Sequence, residues 1–277
     1  MPHPEPVARR LFDLTEPIAM VNFASPEPNE AMEGLGFRGY WDGYFAGRSA
    51  PLGRVPAEVV DAVFYNFGPG EVARHIPRVW ERTTPEEAHA ARQRGCATAV
   101  RRILGELVET PGLARAAELL AKASTSAPVE GRPMYAGLRS LPMPEEPVAR
   151  LWFAANMLRE HRGDGHIVAL VCEQIDRTEA HVLSTLRSGL HPAESFGRIH
   201  HLPPAYLARV MDGLRDRGLV DLAGHLTEAG RATKDRIESL TDVLAEAPYR
   251  GLDPHELVEL ITVLEPLSVR LQATGSA

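Results

Sequence analysis

Between residues 151 and 175 the apolar side chains recur at helical spacing, and the run is crossed by His161-Arg162-Gly163-Asp164-Gly165-His166. The spacing selects a helix with a buried face. Two glycines among four polar side chains predict that the helix stops near Glu160 and resumes at Ile167. Two imidazoles, a carboxylate and a guanidinium within six residues exceed what a turn needs. They make this stretch the first candidate site.

The rest of the chain reads as helix punctuated by Pro and Gly. A first helix over 7–22 is expected to break near Pro17. Residues 28–35 give a short helix ended by Gly34 and Gly36. Segment 36–53 packs Phe37, Tyr40, Trp41, Tyr44 and Phe45 among glycines, with Asp42 and Arg48. It reads as a loop where rings and backbone approach either one another or a ligand. Further helices are expected over 55–67, 71–80 and 85–107, the last with Thr84 as cap and Pro85 behind it. Residues 111–123 form one more. Segment 128–147, rich in Pro and Gly, connects two halves and leaves room for a short helix over 134–140. The second half continues with 147–160, 167–174, 178–188 (Thr178 as cap), 203–217, 227–245 and 253–274, the last broken near Pro266. The expected division is 1–127, linker 128–147, and 148–277.

Composition narrows the function. The net charge is −7 over 277 residues, and only Lys122 and Lys234 are lysines among 30 basic residues. Nucleic-acid binding draws on phosphate neutralisation, so a footprint here would have to be local. No apolar run reaches membrane-spanning length, and the N-terminus lacks a signal-peptide pattern, which predicts a cytoplasmic protein without a membrane partner. Cys96 and Cys172 lie in apolar helical contexts and read as packed thiols. No P-loop, Gly-x-Gly-x-x-Gly, Gly-x-Ser-x-Gly or His-Glu-x-x-His occurs, so no cofactor is expected.

Two phrases point to a fold. Leu214-Arg215-Asp216-Arg217-Gly218-Leu219-Val220 ends one helix, and Leu226-Thr227-Glu228-Ala229-Gly230-Arg231 opens the next. Segment 203–236 resembles the winged-helix core of MarR-type regulators, in which a two-stranded wing joins two such phrases. Three further stretches (44–53, 64–67 and 158–166) resemble an actinobacterial helix-turn-helix family of largely unassigned function, grouped with MarR-like folds. That family is expected to carry Arg-Gly-Trp before the recognition helix, where this chain has Arg198-Ile199-His200-His201. The resemblance implies a mostly α protein with a MarR-like C-terminal half, a small β-wing, and a helical N-terminal half that could be a diverged copy. It also implies dimerisation or a heteromeric partner chain.

The chemistry reads as follows. His161 and His166 are five apart, a poor spacing for two ligands on one helix, so no metal is expected. Asp164 beside His166 is read as base and orienter, with His161 and Asp42 as further catalytic groups. Arg162 and Arg48 are read as an anion clamp, with Tyr44 and Trp41 as substrate-binding rings. His191, His200 and His201 read as a surface loop group. In 203–217, Arg209, Arg215 and Arg217 stand against Asp212 and Asp216, poor material for major-groove readout. The favoured reading is a metal-independent lyase or hydrolase of specialised metabolism. It would carry out elimination, hydrolysis or cyclisation on an anionic small molecule, using the winged helix as scaffold. The alternative is a ligand-responsive transcription regulator. DNA binding stays open but is disfavoured by the charge.

Overall fold

A computed structural model describes residues 7–189 and 202–275. It is 76% helical, so packing of helices decides the architecture. Twelve helices are described: α1 (Val7–Ala24), α2 (Pro26–Glu33), α3 (Tyr40–Ser49), α4 (Ala57–Phe64), α5 (Pro85–Leu104), α6 (Pro111–Ser126), α7 (Pro133–Arg139), α8 (Pro147–Cys172), α9 (Arg177–Arg187), α10 (Pro204–Asp216), α11 (Glu228–Leu244) and α12 (Pro254–Gly275). The phrase 198–201 and the histidine group His191, His200 and His201 lie outside the described residues.

The expected break at 161–166 is absent. α8 runs through it for 26 residues, opened by Glu146, whose carboxylate accepts from the Val148 and Ala149 amides. A glycine inside a helix costs about 1 kcal/mol relative to alanine. Gly165 has a packing reason. The Arg132 guanidinium lies against it, where a Cβ would collide with Nη1, and donates to the His161 carbonyl at 2.9 Å and the Leu244 carbonyl at 2.8 Å. Pro17 and Pro266 likewise sit inside α1 and α12 without ending them.

Within segment 36–53, read as a loop, Tyr40–Ser49 is helical and Ala50–Leu52 continues as a 3-10 turn. Its glycines serve close approach: a Cβ on Gly43 would stand 3.0 Å from Met32 Cβ, and one on Gly47 3.3 Å from Arg92 Cδ. The expected helix over 71–80 is instead two short 3-10 turns, Val72–Arg74 and Arg78–Glu81. At α5, Thr84 and Glu87 form a reciprocal capping box. At α9 the cap is Asp176, paired with Glu179, rather than Thr178.

Two apolar clusters organise the chain. The larger gathers α1 to α7, residues 148–158 of α8, and α12 through Leu260, Leu264, Leu267 and Leu271. The smaller joins Ala169 and Leu170 at the end of α8 to Val182 and Leu183 of α9, Met211 and Leu214 of α10, and Ile237 of α11. The clusters therefore do not divide at 128–147; α8 enters both, and the C-terminal helix returns to the first. Residues 218–227 make a tight turn between α10 and α11. Gly218 and Gly224 have φ of 69° and 89°, and one antiparallel bridge joins Val220 to Leu226. Among the described residues this single bridge stands where two strands were expected.

Candidate functional site

Four helical segments enclose a cleft of about 420 Å³, within the range of small-molecule sites. α1 contributes Phe12, Glu16, Met20 and Phe23; α3 contributes Tyr40, Trp41, Tyr44 and Arg48; the end of α4 contributes Val63, Phe64, Tyr65 and Asn66; α8 contributes Arg159, Glu160, Arg162, Asp164, His166 and Leu170. Residues 41–48 and 162–166, read separately from the sequence, thus meet across one space. Rings dominate its walls: Tyr44 packs edge-on to Trp41 at 5.3 Å and lies 5.7 Å from Phe23.

Charges in the walls are paired. Arg48 donates to Tyr44 Oη at 3.0 Å and to Glu160 Oε2 at 3.1 Å, with its guanidinium 4.2 Å over the Phe64 ring. Arg159 bridges Glu16 and Glu160. Burial opposes ionisation of Glu160, but Arg48 and Arg159 overcome it and hold the carboxyl at about 2. Arg162 stands 4.1 Å over Phe12 and binds Glu238 and Asp242 of α11, both at 3.0 Å, and Arg9 joins the same two carboxylates. The arginines read as an anion clamp are therefore already matched by internal carboxylates.

Asp164 and His166 do not pair as read from the sequence. Asp164 accepts from the Tyr135 amide at 2.9 Å and, weakly, from the Met134 amide at 3.4 Å, satisfying the start of α7. Burial raises its carboxyl to about 7, so it exchanges a proton near neutrality. His166 Nδ1 lies 2.9 Å from Thr241 Oγ1, and that hydroxyl donates its single proton to the Ile237 carbonyl at 2.7 Å. The Thr241 oxygen must therefore accept from Nδ1–H, which leaves Nε2 with its lone pair. Burial lowers His166 to about 4, so the ring is neutral at pH 7.

Two predicted residues are not part of the cleft lining. His161 is buried against Arg132 and Tyr135, its ring edge-on at 5.0 Å, and burial lowers it to about 4. Asp42 binds His75 Nδ1 at 2.6 Å and Arg78 at 2.8 Å, an ion-paired knot under α3. Sequence reading missed Glu160, Arg159 and the α1 rings. The signal was the four-residue spacing of Asn156, Glu160 and Asp164, one face of a helix whose expected interruption hid it.

Asp164→Asn keeps an acceptor for the Tyr135 amide and is expected to change stability by under about 1 kcal/mol. Asp164→Ala orphans that amide and is expected to cost about 1–3 kcal/mol. Urea midpoints at pH 7 compare the two; equal losses would remove the capping role.

The C-terminal end of α8 packs against α9, α10 and α11. Along 203–227 three arginines meet three aspartates, so the formal charge is zero. Arg215 binds Asp212 at 2.7 Å and Arg217 binds Glu179 at 2.9 Å. Arg209 is exposed beside Tyr206, and Leu222 at the tip of the turn is 93% exposed. Among the described residues no helix is long and apolar enough to cross a membrane.

No curated protein and no solved structure matches the chain. A family model described as a helix-turn-helix family matches residues 8–277, across both apolar clusters, and the chain belongs to that family.

Proposed function

We propose that the protein is a small-molecule enzyme of specialised metabolism that works in the aromatic cleft by acid/base chemistry, with the helix-turn-helix unit as scaffold. The observation that carries this reading is that His166, whose Nδ1 is tied to Thr241, and Asp164, whose carboxyl burial raises to about 7, line the same cleft on separate partners. His166 Nε2 would take a proton from the bound molecule, and Asp164 would return one to a leaving or ring-closing atom. Elimination, hydrolysis and cyclisation all use such a pair. Trp41 and Tyr44 would hold the apolar part of the substrate. A MarR-like winged-helix topology, a homodimer or heteromeric partner chain, and a cytoplasmic setting belong to this proposal.

A second reading is a ligand-responsive, DNA-binding regulator, favoured by the family and by one contact path. Leu170 lines the cleft and also packs in the smaller cluster, and Tyr65 on the opposite wall donates to the Ile175 carbonyl at 2.5 Å. A bound molecule would thus touch the base of the helix-turn-helix unit.

One experiment separates them: mobility shift with the upstream DNA at about 50 and 200 mM salt, the span over which phosphate-driven binding weakens steeply. No specific complex is expected, given the zero net charge of 203–227. Sequence-specific, salt-sensitive binding would overturn the enzyme reading. In its absence, aromatic carboxylic acids are screened for conversion by mass spectrometry. His166→Gln is expected to reduce any turnover at least about 100-fold, and undiminished turnover would remove His166 as base.

A further inference from the structure

Arg92 on α5 is a buried cation, 2% exposed, that makes no ion pair among the described residues. Its Nε donates to Asn22 Oδ1 at 2.8 Å and its Nη2 to Asn156 Oδ1 at 3.3 Å, both neutral acceptors, while Nη1 has no partner. Nearby Arg48 also has an unpartnered Nε. Glu160 and Glu16 are already divided between Arg48 and Arg159. Three guanidiniums therefore face two carboxylates, so Arg92 is left with no carboxylate partner, only the Trp152 ring 5.3 Å from its guanidinium. Burial lowers the Arg92 pKa, as expected for a desolvated cation, but an arginine stays charged at neutral pH. Buried charges are matched by a counter-ion.

A small cavity of about 30 Å³ adjoins this charge, bounded by Asn22, Met32, Tyr44, Gly47, Arg48 and Arg92. It exceeds the space one water needs. Gly47 keeps it open, since a Cβ there would stand 3.3 Å from Arg92 Cδ and 3.6 Å from Met32 Cε. Tyr44 and Arg48 border both this cavity and the aromatic cleft.

We infer that this cavity is a binding site for a single carboxylate group, with Arg92 as its counter-ion. The excess is one charge and the space is small, which suits a planar monovalent group over a phosphate; a guanidinium fork matches it. The carboxylate is either a free small acid or the head of a larger molecule whose body occupies the cleft. The second source rests on the cleft being a ligand site; the first does not.

The test uses the full-length protein in chloride-free HEPES at constant ionic strength, titrated with acetate, benzoate and chloride while melting temperature and Trp fluorescence are followed. Acetate and benzoate are expected to raise the melting temperature saturably. Equal affinities indicate a free-acid site; tighter benzoate with a change in Trp fluorescence indicates the head of a cleft ligand. Asn22→Asp supplies Arg92 with an internal carboxylate. It is expected to raise the melting temperature without ligand and weaken acetate at least about tenfold. Gly47→Ala, which fills the space, is expected to weaken acetate in the same direction. No saturable shift in the wild type, an undiminished shift in Asn22→Asp, or chloride acting as well as acetate would each overturn the carboxylate site. Loss of turnover in His166→Gln with acetate binding intact would leave this site standing, and the converse result would leave the cleft reading standing.

Discussion

Replacing Gly230 by alanine is expected to destabilise the protein by about 3 kcal/mol, among the largest single-methyl effects in the chain. Gly230 lies in the first turn of α11, where Thr227 caps the helix by accepting from the Gly230 amide at 3.0 Å. A Cβ there would overlap the Leu219 carbonyl oxygen and stand 3.1 Å from its carbon. The obstacle is backbone, and that oxygen already accepts from the Thr227 amide at 3.1 Å. No rotamer change relieves the clash, so the turn at 218–227 must move away from α11 and open the smaller cluster at Leu219, Val220 and Leu226. In a chain of this size the loss corresponds to a melting temperature lower by about 6–12 °C. Gly213→Ala is the control. Nothing lies within 4 Å of a Cβ on that glycine in α10, so helix propensity predicts a gain of up to about 1 kcal/mol. If both variants melt with the wild type, α11 does not seat as described.

Acid is expected to unfold the protein steeply below pH 6. His89, His161 and His166 each titrate at about 4 in the folded chain, chiefly because burial disfavours the imidazolium; unfolded histidine titrates near 6.5. Between these values the unfolded chain binds three more protons, so stability falls as pH drops through the window. Asp164 acts in the opposite sense. Raised to about 7, it is protonated in the folded chain where an unfolded aspartate would be ionised, so it gains stability as pH falls from 7 towards 4. Three protons less one leaves about two, a slope of about 2.5 kcal/mol per pH unit near pH 5. Below about 4.5 the loss steepens. Arg48 and Arg159 hold Glu160 at about 2 against burial, and hydrogen bonds from Arg9 and Arg162 hold Glu238 at about 2 against burial. Stability from such depressed carboxyls is present above the unfolded value and lost as pH falls. Urea unfolding at half-unit steps from pH 7 to 4 measures the slope, and His161→Phe should remove about one proton of it. Stability flat between pH 6 and 4.5 would contradict the neutral buried imidazoles.

Local chemistry made much of the fold legible. Thr84-Pro85 with Glu87, Gly34 after α2, and Thr227 before α11 each mark a helix end through a backbone hydrogen bond that the side chain or glycine completes, and each sits where it was expected. The failures share a cause. Gly163, Gly165, Pro17, Pro266, Gly43 and Gly47 were read as interruptions, yet each lies within a continuous helix. A glycine's reason at 47 or 165 is the arginine packed over it from elsewhere in the chain, Arg92 or Arg132, and no local window contains that partner. The candidate site follows the same division. Tyr44 and Arg48 in 36–53, and Arg162 and His166 in 161–166, stood out because polar or aromatic groups crowd each of these two short stretches. Which of them meet, and that the arginines face carboxylates on α8 and α11, depends on tertiary contacts. The tautomer of His166 depends on Thr241, 75 residues away.

α8 has a bearing on how far this molecule can be divided. Leu151, Trp152 and Phe153 near its start lie inside the larger cluster, and Ala169 and Leu170 near its end inside the smaller. Cutting at 147 would strip solvent protection from the first three, while α12 would lose its seat on α1 and α6. Residues 148–277 are therefore not expected to fold apart from 1–147. Hydrogen exchange should report one cooperative unit spanning both clusters, with amides along α8 opening only in global unfolding. A substitution along α8 thus bears on the packing of both clusters, because one continuous helix supplies side chains to each.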